Sequence, residues 1–197
     1  MTCWAIIPCK PSPEAKSRLA GALDAATREA LVGAMLAHVA EAASQAVNIT
    51  RVCLLGSTRK GLPEDLPLLP DPGQGLNAAL QSALAQVAWQ GPERVVFIAS
   101  DLPMVTAREI ELLAAAAAGE VAIAPDRHGT GTNAISLPLP AATGFAFAFG
   151  PDSFARHKSE AERLGLKVEV IHSQGLARDI DEPADLPDAG KLMAQPG

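Results

Sequence analysis

The chain has 197 residues, 48% of them hydrophobic, and a formal net charge of −6 at pH 7. That length and apolar fraction suit one well-buried domain over residues 1–197. The acidic balance, the lack of tyrosine and an aromatic content of 4% argue against nucleic acid or anionic lipid as partners. No apolar run approaches a membrane span and the N-terminus lacks a signal-peptide pattern, so a cytoplasmic location with Cys3, Cys9 and Cys53 as reduced thiols is expected.

In chain order, Thr2 to Ile7 reads as a first strand, broken by Pro8, Pro11 and Pro13. The proline-rich loop carries Lys10, Lys16 and Arg18 directly after the strand, where an α/β fold presents its ligands. A lysine point charge and an arginine fork suit a polyphosphate, although a basic loop can also be merely solvated. Asp24 or Thr27 caps the next helix, which runs from Arg28 to about Val47 with Leu31, Met35, Leu36, Val39 and Ala43 at helical spacing. His38 within it reads as a packing or surface residue.

Arg51 to Leu55 is a second strand, followed by a loop with prolines at 63, 67, 70 and 72. This loop delivers Gly73, Gly75 and Asn77 to a helix ending near Val87. Glycines before a helix let backbone approach a ligand closely, which makes Gly75 and Asn77 candidate ligand contacts. An ordinary Gly/Pro turn would use the same residues.

Arg94 to Ser100 is an apolar run without alternation, as in a strand buried on both faces of a parallel sheet. It ends on Asp101, with Pro103 just beyond, so the carboxylate falls at the lip of the sheet. Such a carboxylate holds a metal, caps a helix or orients a loop. Thr106 with Glu109 forms a capping box for a helix to about Ala118, which removes the need for Asp101 as a cap.

Val121 to Ala124 is a further strand, and the chain returns from Ala134 to Leu137 after Gly129-Thr130-Gly131-Thr132-Asn133. Free N–H groups and hydroxyls there suit an anion, and equally a tight hairpin. Phe145, Phe147 and Phe149 alternate as in an extended segment with one aromatic face in the core. Gly150-Pro151-Asp152-Ser153 opens a helix through Leu164; its start is an anion candidate, although Asp152 there is unfavourable. Lys167 to Ile171 alternates like an edge strand. Asp179 and Asp181 then share one face of an extended segment. Their repulsion calls for a positive neighbour. Magnesium, with Asp101 as third ligand, is one answer; the bland alternative is Asp181 capping a helix that starts at Pro183.

Strands alternating with helices argue for a three-layer α/β domain with a mostly parallel sheet. Pro8-x-Lys10, Ala15-Lys16-Ser17-Arg18-Leu19, Gly75-Leu76-Asn77, Ser100-Asp101-Leu102-Pro103, Gly129-Thr130-Gly131-Thr132-Asn133, Phe149-Gly150-Pro151-x-Ser153-Phe154-x-Arg156-His157 and Asp179-Ile180-Asp181-x-Pro183-x-Asp185-Leu186 follow in that order. Together they resemble the phospholactate guanylyltransferase family of deazaflavin-coenzyme biosynthesis, over Pro8 to Leu186. The resemblance implies the Rossmann-like nucleotidyltransferase fold, similar to the molybdenum-cofactor guanylyltransferases. It implies transfer of GMP from GTP to 2-phospho-L-lactate, phosphoenolpyruvate or 3-phospho-D-glycerate, with release of pyrophosphate. It further implies magnesium on Asp101, Asp179 and Asp181, and the phospho-acid on Thr132, Gly150 and Ser153. Lys10, Lys16 and Arg18 are the expected triphosphate clamp. A Pro-Lys loop replaces the glycine-rich first loop of the wider superfamily. The acceptor is not decided by any residue, and oligomeric state stays open, a homodimer included. Two alternatives remain: a same-fold enzyme acting on molybdopterin or a sugar phosphate, and a non-catalytic nucleotide-binding module.

Overall fold

The computed structural model describes residues 1–9 and 16–193. Seven strands form one sheet in the order β3-β2-β1-β4-β6-β5-β7. They are β1 (Cys3–Pro8), β2 (Arg51–Gly56), β3 (Leu68–Pro70), β4 (Arg94–Ile98), β5 (Glu120–Pro125), β6 (Thr132–Pro138) and β7 (Lys167–Val170). Pairings β1–β2, β1–β4, β2–β3 and β5–β7 are parallel, and β6 runs antiparallel to both of its neighbours. The short β3 is absent from the sequence reading. It lies at the sheet edge, where Pro70 interrupts no central ladder.

Helices α1 (Ala25–Gln45), α2 (Leu76–Ala88), α3 (Ala107–Ala114), α4 (Ser153–Arg163), α5 (Gln174–Ala177) and α6 (Leu186–Met193) surround the sheet. The side-chain period of two divides each central strand between two cores. Ala5, Ile7, Val96, Ile98, Ala122 and Ala124 meet Leu36, Val39 and Ala43 of α1 and Ile110 and Leu113 of α3. On the other face, Ile6, Val95, Phe97, Val121 and Ile123 meet Leu80, Leu84 and Val87 of α2, with Phe145 and Phe147. This is the expected three-layer α/β arrangement. No helix among the described residues is long and apolar enough to cross a membrane.

Local signals explain several boundaries. The Asp24 side chain accepts from Thr27 N at 2.7 Å, so of the two candidate caps the aspartate serves α1. Thr106 and Glu109 close the expected capping box of α3. That helix ends at Ala114, short of Ala118, because the carbonyls of Ala116 and Ala117 turn to the guanidinium of Arg94 at 3.1 and 2.9 Å. Phe145, Phe147 and Phe149 keep their alternation but join no strand. Their segment is held instead by side chains that accept its N–H groups: Glu160 from Ala146, His157 from Ala148 and Asn77 from Phe149.

Candidate functional site

The antiparallel β6 is what assembles the site. Ile98 at the carboxyl end of β4 faces Ala134 near the amino end of β6. The lip holding Ser100 and Asp101 therefore also holds Thr132 and Asn133, and Ala99 N donates to Asn133 O at 2.8 Å. A cleft of about 600 Å³ opens there, lined by Arg18, Asp101, Asp179 and Asp181 as well as Thr132, Gly150, Asp152 and Ser153. Its size is that of a small-molecule or nucleotide pocket.

Asp179 and Asp181 reach this lip because Ile180 between them is fully buried against Leu19, Leu31 and Met35. In an extended segment this sends both flanking carboxylates the other way. Ile180 N also donates to Asp101 O at 3.3 Å, which ties the segment to β4. Asp181 is not the cap of the turn at Pro183. Asp185 accepts from the N–H groups of Asp181 and Glu182 at 2.9 and 2.8 Å, and its other oxygen takes Arg127 at 2.6 Å. The turn at Pro183 is thus capped by Glu182, with Asp185 reaching back to complete the box, while the Asp181 carboxylate faces the cleft and meets Lys16.

Lys16 stands between two of the three acids. Its backbone is left-handed, with φ of 59°, and its ammonium lies 2.5 Å from Asp101 Oδ2 and 2.9 Å from Asp181 Oδ1. Burial alone would push its pKa down, but the two carboxylates together outweigh burial and hold it above that of an ordinary lysine. Asp179 receives the Asn133 amide at 3.3 Å. Burial first, then the charges of Asp101 and Asp181, push its carboxyl pKa up. Among the described residues no three His, Cys, Asp or Glu side chains gather as ligands around a point. The three aspartates share one neighbourhood, and the positive charge their repulsion calls for is supplied here by Lys16.

Other candidates fall differently. Lys10 lies outside the described residues. Arg18 lines the cleft. Gly75 and Asn77 do not line it. Gly75 N-caps α2 with φ of 90°, a left-handed value natural to glycine. The Asn77 amide closes on Phe149, donating to its carbonyl at 3.1 Å and accepting its N–H at 2.8 Å. Asn77 therefore braces the segment that carries Gly150. In the 125–133 loop, the N–H groups of Gly129 and Thr130 go to Asp126, so this hairpin does not present them to an anion. The same holds at the start of α4, where the Ser153 and Phe154 N–H groups donate to Gly150 O and Thr130 O. Thr132 and Ser153 bring hydroxyls to the cleft wall, where they are 6% and 2% exposed. His157, given no role from sequence, is fully buried and lies 3.0 Å from Thr132 Oγ1. Its place in the 149–157 motif is the one signal that could have drawn attention to it.

The model of the "Guanylyl transferase CofC like" family matches residues 3–193. A phosphoenolpyruvate guanylyltransferase of Chloroflexus aurantiacus is 41% identical over 184 residues, covering 90% of this chain and 89% of its own. A 2-phospho-L-lactate guanylyltransferase of Halorubrum lacusprofundi is 36% identical over 173 residues, covering 87% and 76%. Among solved structures, a nucleotidyl transferase from Methanothermobacter superposes with a TM-score of 0.65 at 12% identity, covering 98% of both chains, which shows the shared fold. The chain belongs to the CofC-like guanylyl transferase family and is a nucleotidyltransferase of the α/β class.

Proposed function

We propose that this enzyme transfers GMP from GTP to a three-carbon phospho-acid, with phosphoenolpyruvate as the preferred acceptor. The observation that carries the reading is one cleft with two unlike walls: Arg18 and the Lys16–aspartate cluster on one side, Thr132, Gly150 and Ser153 on the other. The cationic Lys16 and Arg18 suit a triphosphate, and the hydroxyls of Thr132 and Ser153 suit a small phospho-acid, with Asp152 an unfavourable charge beside them. Phosphoenolpyruvate is favoured because the Chloroflexus relative, the more similar of the two described above, is named for it. The product would feed deazaflavin-coenzyme synthesis.

In the proposed reaction an oxygen of the acceptor phosphate attacks the α-phosphorus of GTP. A new P–O bond forms as the bond to the β-phosphate oxygen breaks, and pyrophosphate leaves. A phosphate monoester has its second pKa near about 6, so the attacking oxygen is already ionised at neutral pH and no side-chain base is required. The difficulty is to hold two polyanions in line. Lys10, Lys16 and Arg18 would clamp the triphosphate, while the Thr132 and Ser153 hydroxyls and the backbone at Gly150 hold the phospho-acid.

The donor chemistry at Asp101, Asp179 and Asp181 fits magnesium: the groups are hard oxygen donors, and burial, with the charges of Asp101 and Asp181 added to it, raises the Asp179 pKa. When bound, magnesium supplies charge neutralisation on the phosphates. Lys16 holds two of those carboxylates, Asp101 and Asp181, and in this reading it exchanges them for the phosphates.

Pyrophosphate release from GTP with magnesium, measured with each of the three phospho-acids, tests the reading. Phosphoenolpyruvate should give the highest kcat/KM. Silence with all three, in a protein that still binds GTP, overturns the assignment. Asp101→Asn should abolish turnover while leaving the fold intact; an active variant removes Asp101 from the metal set.

A further inference from the structure

His157 is not part of the cleft wall, yet it touches both elements that carry Thr132, Gly150 and Ser153. Its ring is fully buried, with the centroids of Phe145, Phe147 and Phe149 at 5.8, 6.5 and 4.7 Å. Nε2 lies 3.0 Å from Ala148 N, and Nδ1 lies 3.0 Å from Thr132 Oγ1.

The proton arrangement follows from donor chemistry. A backbone N–H only donates, so Nε2 must be the acceptor. A neutral imidazole then carries its hydrogen on Nδ1 and donates it to Thr132 Oγ1. Burial, with a smaller contribution from Arg156, lowers the ring pKa to about 4 and keeps it neutral. Having accepted from His157, the Thr132 hydroxyl has its own hydrogen left to donate. A hydrocarbon would fill the phenylalanine cage without needing either hydrogen bond. An imidazole adds one acceptor and one donor at a fixed angle.

We propose that His157 is a positioning residue for acceptor binding. One ring nitrogen sets the Thr132 hydroxyl as a donor toward the phospho-acid, and the other anchors the Phe145–Ser153 segment beside it through Ala148. The inference rests on the reading of Thr132, Gly150 and Ser153 as the acceptor's binding groups.

Long-range proton–nitrogen correlation spectra of the wild-type protein at neutral pH should show His157 in the Nδ1–H form. An Nε2–H tautomer or an imidazolium overturns the proposal, with no variant needed. In steady-state kinetics, His157→Gln can place its amide oxygen where Nε2 accepts from Ala148, but it has no atom at the Nδ1 position to donate to Thr132. It should raise the KM for the phospho-acid about 10-fold, the loss of roughly one hydrogen bond, and leave the KM for GTP within about twofold. In a Thr132→Val background the same change should have little further effect. Equal fold-changes in both backgrounds, or a lower Tm with both KM values unchanged, would mean a purely structural histidine. Thr132→Val alone probes the underlying reading: an unchanged phospho-acid KM there removes Thr132 from the acceptor site whatever His157 does.

Discussion

The ammonium of Lys16 lies 2.5 Å from Asp101 Oδ2, across a sequence separation of 85 residues, and is 10% exposed. A lysine so placed neutralises the two acids it touches, and at the proposed magnesium site it would compete with the metal for the same oxygens.

Lys16→Met separates these two effects. Without the ammonium, the acids should bind magnesium more tightly in the absence of nucleotide, as read by titration calorimetry. If Lys16 serves the proposed triphosphate clamp, turnover should nevertheless fall on the order of 100-fold, the cost of one lost electrostatic contact. A variant with near wild-type turnover would show that Lys16 only balances charge.

Asn77 offers a direct contrast between two placements. A nucleotide contact would make Asn77→Ala raise the KM for GTP. The amide clasp on Phe149 predicts instead that the phospho-acid KM rises, because Gly150 and Ser153 follow in the same segment. Loss of the clasp leaves one N–H and one carbonyl without their partner, worth about 1–3 kcal/mol of stability if water does not replace it. Comparing the two KM values decides the matter.

Arg94 is 1% exposed and donates to the carbonyls of Ala116, Ala117 and Glu120 and to the Ser136 hydroxyl. It fastens β4 to β6 and to the end of α3, far from the reacting groups. Arg94→Met should cost about 3 kcal/mol, a Tm drop of roughly 10 °C for a chain of this size. The kcat/KM measured well below the transition should stay near wild type. A large fall in kcat/KM with unchanged Tm would contradict this division of labour.

Stability should decline with acid in a window set by His157. Its pKa falls from 6.5 to about 4 on folding, chiefly through burial. Between these values the unfolded chain binds the proton and the folded chain does not, so stability is lost as pH falls from about 6.5 toward 4. The full contribution is about 3 kcal/mol. Denaturant unfolding followed across that range should show the slope, and His157→Gln should remove this component. At still lower pH, protonation of Asp185, whose pKa is held down against the upward push of burial by Arg127 and by the Asp181 and Glu182 N–H groups, removes a further brace.

Sequence alone determined the layers and the lip. Apolar runs such as Val95 to Ile98 are buried on both faces, the Thr106–Glu109 box starts its helix, and Asp101 follows the strand as its flanking residues require. The period of two also put Asp179 and Asp181 on one side, with buried Ile180 on the other. These features are local: backbone propensity and side-chain period decide them within a few residues. Tertiary structure decided which polar groups meet. Asp185, not Asp181, took the N–H groups at Pro183. Asn77 turned to Phe149, His157 to Thr132 and Lys16 into the space between Asp101 and Asp181. Each of these contacts joins different elements of the chain. A polar side chain has several partners within reach, and its choice depends on which neighbour folding brings close and strips of water. The lysine that sequence offered as a phosphate clamp was thus free to become, in the folded chain, the counter-charge of Asp101.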